Sequence, residues 1–346
     1  MNKKLKIDIV SLGGSPTGVT EQSIYGIDGR TGVGGAELGI LTLCRMWHDV
    51  GHDVTFYNGG QNSRSEFKHA DFSAFDKHAD RDILIVFRSP IPYEKIIHAK
   101  GRKVWYSNDQ YTTGDYAGFR QHVDDVVVIS DFHNEYFKTA YQINDARVID
   151  IPIRTWEYPD IVKVRNSCIF TSVPDRGLMK LAPIWDKIVE RVPDASLTIT
   201  GDWSLWDNSD MSGHVRPYRL AFAGKKNVTY LSAIKRAELT GIQSSAEFHL
   251  YPCTYDELFC ISVAESQCAG VIPITSTTGA VNTTNRFGYK IGGEPSSPDF
   301  INTFVDTVVG LMQQPERYDI KARAIAEFGS ESILAEWDKL FYGNSK

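Results

Sequence analysis

Short apolar runs alternate with stretches of helical periodicity along most of this chain, and no other feature constrains the fold as strongly. Lys6–Leu12, Asp53–Asn58, Ile83–Phe87, Lys103–Ser107, Asp125–Ser130 and Arg147–Ile151 are predicted strands. Between them, Ala36–Asp49 repeats apolar residues at Leu38, Leu41, Cys44, Met46 and Trp47 before ending at Gly51-His52, and Asp131–Tyr141 begins behind a capping Ser130 or Asp131. The second half repeats the pattern. Its strands are predicted at Asn166–Thr171, Ser196–Thr200, Asn227–Leu231, Glu247–Tyr251 and Val271–Ile274, with helices at Gly177–Arg191 and Lys235–Ser244. Strands that each hand over to a helix imply mostly parallel sheets covered on both faces. At 346 residues there is room for two such domains. Pro152 and Pro159 interrupt regular structure around Ile153–Lys163. The expected organisation is 1–155, 156–328, and a last segment 329–346 whose helix Glu331–Tyr342 carries Ile333, Leu334, Trp337, Leu340 and Phe341.

Composition narrows the setting. A content of 42% hydrophobic and 12% aromatic residues fits a packed globular chain. The balance of 37 basic against 43 acidic residues, net −6, gives no sign of a nucleic-acid partner, and leaves room for a local basic patch toward an anionic substrate or a membrane surface. The five cysteines have no zinc-like Cys-x-x-Cys spacing. They are expected as small buried apolar residues in a reduced, cytoplasmic setting. The basic start Met1–Val10 is interrupted by Asp8 and is expected to be a first strand, not a signal peptide. No run approaches the roughly 18 apolar residues of a membrane-crossing helix. No metal site is expected: His48-Asp-Val-Gly-His52 has Gly51 where a zinc helix would continue, and Asp80-Arg-Asp82 precedes a strand instead of following one.

Two glutamates carry most of the functional signal. Glu257 and Glu265 lie in Tyr251-Pro-Cys-Thr-Tyr-Asp-Glu-Leu-Phe-Cys-Ile-Ser-Val-Ala-Glu265. Tyr251-Pro252 is expected to end a strand, and a helix is expected from Phe259 to Cys268, stopped by Ala269-Gly270. Glu257 then sits ahead of the helix and Glu265 about two turns inside it. The N–H groups of Leu258, Phe259, Cys260 and Ile261 would be unpaired donors at the helix start, a seat for a phosphate or pyrophosphate. A carboxylate on either side can bind sugar hydroxyls, which outlines a nucleotide-sugar.

This segment resembles the Glu-x7-Glu motif of retaining family 4 glycosyltransferases. The resemblance implies that Glu257 binds the transferred sugar and Glu265 the ribose. The family's loop reads Glu-Gly-Phe-Gly; here it reads Glu257-Leu258-Phe259-Cys260, which requires ordinary backbone angles where the glycines stood. Other segments resemble the family in the same order along the chain. Gly34-Gly35-Ala36-Glu37 is similar to its first-domain glycine loop. Arg176-Gly177 matches the Lys-Gly end of its diphosphate-binding segment, with Thr171 where an Arg usually stands and Lys180 as a substitute cation. Gly201-Asp202 matches a strand-end turn, and Leu231 falls where the family's backbone meets the nucleobase. Asn108 and Asp109 occupy the region of a sugar-binding His, so Asp109 is a candidate for sugar hydroxyls or the acceptor, and equally a turn former.

The resemblance implies the GT-B fold, two Rossmann-like domains facing a cleft, with the last helix crossing back to the first domain. The implied activity is transfer of a hexose-type sugar from a nucleoside diphosphate to a hydroxyl of a glycan, lipid-linked or protein-linked acceptor, with retention and without metal or other cofactor. Glu257, Arg176 and Asp109 are the catalytic candidates. Gly34, Gly35, Arg176, Lys180, Leu231, Leu258, Phe259, Cys260, Ile261 and Glu265 are the donor-binding candidates. Loops Gly13–Arg30 and Gln61–Asp76 would meet the acceptor. A nucleotide-sugar epimerase, a sugar phosphorylase and a non-catalytic sugar-nucleotide-binding protein stay open as alternatives.

Overall fold

A computed structural model describes residues 3–11, 18–59, 65–110, 114–206, 212–314 and 319–343. Leu12, residues 13–17 of the first candidate acceptor loop and 61–64 of the second lie outside the described residues. The chain forms two compact units, one from 1–152 with 330–346 and one from 153–329.

The first unit is built on seven strands: β1 (Lys6–Ser11), β2 (Asp53–Tyr57), β3 (Lys68–Ala70), β4 (Ile83–Phe87), β5 (Arg102–Tyr106), β6 (Asp125–Val128) and β7 (Arg147–Val148). They pair in the order β3-β2-β1-β4-β5-β6-β7, all parallel. Ile-Leu-Ile-Val-Phe of β4 is buried at every position, as a strand covered on both faces must be. Helix Asp131–Tyr141 starts where the sequence predicts, and Ser130 Oγ accepts from the His133 N–H at 3.0 Å. Helix Ser330–Tyr342 belongs to this unit, although the whole second unit separates it in sequence. Its Trp337 meets Trp47 and Tyr106 edge-on, with centroids 5.1 and 5.4 Å apart.

The second unit holds β8 (Ser167–Thr171), β9 (Ser196–Thr200), β10 (Val228–Ser232), β11 (Phe248–Tyr251), β12 (Ile272–Ser276) and β13 (Tyr289–Ile291). Their order is β10-β9-β8-β11-β12-β13, again all parallel. In both sheets the order runs outward one way and then reverses, between β1 and β4 in the first and between β8 and β11 in the second. Ligands of open parallel sheets bind beyond the strand C-termini at such reversals.

Several elements carry no sequence assignment: β3, β13 and helices Ser212–Phe222, Pro298–Gln313 and Lys321–Phe328. Ser212–Phe222 contains Pro217, which argues against a helix. Pro298–Gln313 is rich in Val, Ile and Thr, which favour strands; its Ser297 cap and the buried Phe300, Phe304, Val308 and Leu311 override that preference. All five cysteines are unpaired and buried. Among the described residues, no helix is long and apolar enough to cross a membrane.

Candidate functional site

The reversal between β8 and β11 brings together the turn after β8 and the loop after β11. Val173-Pro174-Asp175-Arg176 turns tightly after β8, and Gly177 then caps helix Leu178–Arg191 with φ +111°. A side chain at 177 would place its Cβ 2.2 Å from the Pro252 carbonyl oxygen, so a glycine is required for the two strand ends to lie side by side. That closeness delivers Arg176 to the β11 loop. Its guanidinium lies over the Tyr255 ring, 3.4 Å from the centroid, with Nη1 3.2 Å from Asp175 and Nε 3.5 Å from Glu257 Oε1.

Glu257 is held from several sides. Tyr251 Oη donates to Oε1 at 2.9 Å, and the Glu257 carbonyl accepts from the Ala280 N–H at 2.8 Å. The loop before it is fixed at Cys253, whose carbonyl accepts from Ser276 Oγ at 2.7 Å and Thr278 Oγ1 at 3.0 Å. Burial pushes the Glu257 carboxyl above its ordinary range, and the Arg176 charge and the Tyr251 hydrogen bond offset part of that rise. Burial also pushes the neighbouring Cys253 thiol up to about 12, so it stays protonated at neutral pH.

The helix start differs from expectation. The helix runs from Ile261 to Cys268, so Leu258 and Phe259 lie before it, Ile261 is its first residue, and Glu265 is little more than one turn inside. Phe259 is a core residue with its ring against Phe328, and its carbonyl accepts from Thr284 Oγ1. Cys260, the cap, has φ +67°, so the expectation of ordinary backbone angles fails there. Cys260 holds this left-handed conformation with a side chain in place, at a strain of about 1–2 kcal/mol.

Glu265 is buried in an ion-pair network. Arg236 Nη1 is 2.5 Å from its Oε1 and Gln243 Nε2 3.4 Å from its Oε2. Arg236 also binds Glu157 at 2.6 Å and the Tyr158 hydroxyl at 3.1 Å, while Arg154 holds the other Glu157 oxygen at 2.5 Å. Burial pulls the Arg236 pKa down, but Glu265, Tyr158 and Glu157 outweigh it and hold it well above the ordinary value.

The remaining candidates of this unit lie at the same sheet edge. Lys180, in the first turn of its helix, is hydrogen-bonded to Ser296 Oγ at 2.5 Å. Thr171 Oγ1 is buried without a hydrogen-bond partner among the described residues at the end of β8. Gly201 has φ +111°, and Asp202 accepts from the Ser204 and Ala233 N–H groups at 2.9 and 3.1 Å. Leu231 falls at a register shift in edge strand β10, between the paired Tyr230 and Ser232.

The first unit gathers a cluster at its own reversal. Arg88 follows β4 with φ +64°. It holds Asp109 through Nη2 at 2.8 Å and through Nε, and Glu37 through Nη1 at 2.5 Å. Glu37 lies in the first turn of helix Gly35–Asp49, capped by Gly34 at φ −68°. Glu37, in the helix that Gly34 caps, and Asp109 therefore meet through Arg88, which the sequence reading missed because Phe87-Arg88-Ser89 carries no motif. Arg236 and Tyr251 were missed for the same reason. Among the described residues, no three His, Cys, Asp or Glu side chains are grouped to hold a metal.

With this geometry in place, the fold can be compared with known structures. A glycosyltransferase from Rickettsia africae ESF-5 superposes with a TM-score of 0.72 at 15% identity, covering 99% of this chain and 100% of that one. AviGT4, a glycosyltransferase involved in avilamycin A biosynthesis, gives 0.68 at 15% identity, covering 98% of each. Anabaena HepE, in complex with UDP and glucose, gives 0.66 at 14% identity, covering 98% of this chain and 99% of that one. The fold is GT-B. No protein-family model matches the chain, and no curated protein sequence matches it. At these identities the likeness establishes the GT-B fold and leaves the activity to the site residues.

Proposed function

We propose that the chain is a retaining glycosyltransferase that moves a hexose-type sugar from a nucleoside diphosphate to a hydroxyl acceptor, as the resemblance to family 4 implies. One observation carries this reading: at the sheet reversal of a GT-B donor-side unit, Glu257 stands against Arg176 directly ahead of helix Ile261–Cys268. Glu257 binds the transferred sugar and Glu265 the ribose. The diphosphate lies on the first N–H groups of the helix, which carry partial positive charge. HepE, on the same fold, is captured with UDP-glucose, which supports a nucleotide-sugar donor.

The charge balance at the diphosphate gives Lys180 a role. Arg176 is already paired with Asp175 and Glu257, whereas Lys180 has a neutral partner, Ser296. A lysine in a first helical turn opposes the helix dipole, a local rule broken where function requires it. Lys180 and Arg176 therefore meet the charge that grows on the leaving diphosphate as the sugar bond breaks. These groups replace a metal, and a chelator should leave the rate unchanged. We assign no covalent nucleophile among the described residues, so the acceptor attacks from the face the diphosphate leaves, and the leaving phosphate takes the acceptor's proton. Asp109, oriented by Arg88, is our candidate for binding the hydroxyl acceptor, whether glycan, lipid-linked or protein-linked.

The test is a panel of UDP-, GDP-, ADP- and dTDP-glucose, measured by calorimetry and by slow hydrolysis without acceptor. Saturable binding of one donor that Glu257→Gln or Glu265→Gln weakens is expected. Folded protein that binds none of them rejects the donor assignment, and an inverted product in an anomer-resolved assay rejects retention.

A further inference from the structure

The side-chain hydrogen bond of Glu257 falls on one oxygen. Tyr251 Oη is 2.9 Å from Oε1 and Arg176 Nε is 3.5 Å from the same atom, while Oε2 has no hydrogen-bond partner among the described residues. Tyr251 is the last residue of β11, and its ring is fully buried beside Phe170 and His249, with centroids 5.5 and 5.3 Å away. Its hydroxyl is thus carried by a packed strand, whereas Glu257 is carried by a loop. Packing alone does not ask for that hydroxyl, since a buried polar group costs stability unless it is bonded.

The hydroxyl also lies 3.3 Å from Ser172 Oγ, at the end of β8. A phenol has one proton, and an ionised carboxylate has none to offer. The Tyr251 proton therefore goes to Glu257 at 2.9 Å in preference to Ser172 Oγ at 3.3 Å. The Tyr251 hydroxyl thus links Ser172, just past β8, to Oε1 of Glu257. It fixes the carboxylate's orientation from the two strands that flank the sheet reversal.

We propose that Tyr251 is a positioning residue: by holding Oε1 it fixes Glu257 so that Oε2 is presented to a hydroxyl of the donor sugar. The proposal rests on the reading of Glu257 as the sugar-binding group. Tyr251→Phe removes the hydroxyl and keeps the ring. With whichever glucose nucleotide of the panel the full chain turns over, kcat should fall about tenfold, the cost of a hydrogen bond to a charged group, with KM within about twofold. The acid limb of the kcat profile should move to higher pH, because the lost O–H stabilised the ionised form. In a Glu257→Gln background the same change should add little. Wild-type kcat and an unmoved acid limb, or an equal loss in both backgrounds, overturn the proposal.

A second measurement needs no donor. The Glu257 carboxyl carbon, titrated by NMR in the resting protein, should ionise at higher pH in Tyr251→Phe than in the parent. An unchanged titration means the hydroxyl does not hold the carboxylate, and the positioning role is lost even if the transferase reading stands. A shifted titration in a protein that binds no panel donor keeps the Tyr251–Glu257 bond and rejects the sugar-binding role it was meant to serve.

Discussion

Glu257 combines a raised pKa with a role that needs its charge, and its pH dependence follows from that conflict. Burial holds its carboxyl above the ordinary value of 4.5, with Arg176 and Tyr251 resisting. The native state therefore binds this proton more tightly than the unfolded chain does. Its contribution to stability falls as pH rises through 4.5, whereas its ability to accept a sugar hydroxyl grows as pH rises through the native value. Turnover should be lost on the acid side with a midpoint above 4.5 that disappears in Glu257→Gln; a limb at or below 4.5 would contradict the assignment. Lys180 makes a separate prediction. Its ammonium has a neutral partner, so Lys180→Ala should leave the fold intact and raise the donor KM by roughly tenfold, the weight of one charge-assisted hydrogen bond. Lys180→Arg should recover most of it. Unchanged donor affinity in the alanine variant would leave Arg176 and the helix start as the only candidates for the diphosphate.

At the level of elements, the β8 turn, the β11 loop and helix Ile261–Cys268 act as one assembly, and Glu265 belongs to its buried underside. Arg236 ties it to Glu157 and Tyr158, and Arg154 ties Glu157 in turn. Removing one member of such a network strands the others without water, at about 3–5 kcal/mol. Glu265→Ala is therefore a poor probe of ribose binding, because it exposes the Arg236 charge to an apolar interior. Arg236→Ala should lower unfolding stability by about 3 kcal/mol in denaturant. Glu265→Gln should cost less and still weaken donor binding by roughly tenfold in calorimetry. Equal stability losses in the two would mean that the network holds Glu265 by its shape and not by its charge. The strands other than β3 and β13, several of the longer helices and the order of the motifs were legible in the sequence because apolar periodicity and caps are local. Cys260 and Arg236 were not. The left-handed cap at Cys260 is imposed by the packed loop around it, against the preference of its own side chain. Arg236 opens an ordinary amphipathic helix, and only the fold brings its guanidinium to Glu265. Arg88 was hidden in the same way, since Glu37 and Asp109 are distant in sequence, whereas Tyr251 lies only six residues before Glu257 and went unseen because nothing local shows that its hydroxyl turns to that carboxylate.

At the scale of the whole molecule, the chain leaves its first unit at Pro152 and returns to it at Ser330. The first unit is therefore completed by a helix that follows the whole second unit in sequence. Trp337 is the main reason, since its fully buried ring meets Trp47 and Tyr106 edge-on and Phe341 packs on Trp47 at 5.7 Å. The indole N–H groups of Trp47 and Trp337 are buried without an oxygen or nitrogen partner among the described residues, which suits rings set at 88°, where an edge faces a π cloud. Arg102 extends the anchor by donating to the Leu340 carbonyl at 2.6 Å. Trp337→Ala should then cost about 3–5 kcal/mol, and Trp337→Phe much less because the ring edge is kept. The loss should appear as faster hydrogen exchange in β5 and in helix Gly35–Asp49, the elements whose rings it meets. Exchange in those elements that matches the parent, with fraying confined to Ser330–Tyr342, would mean that the returning helix merely caps a first unit that folds without it.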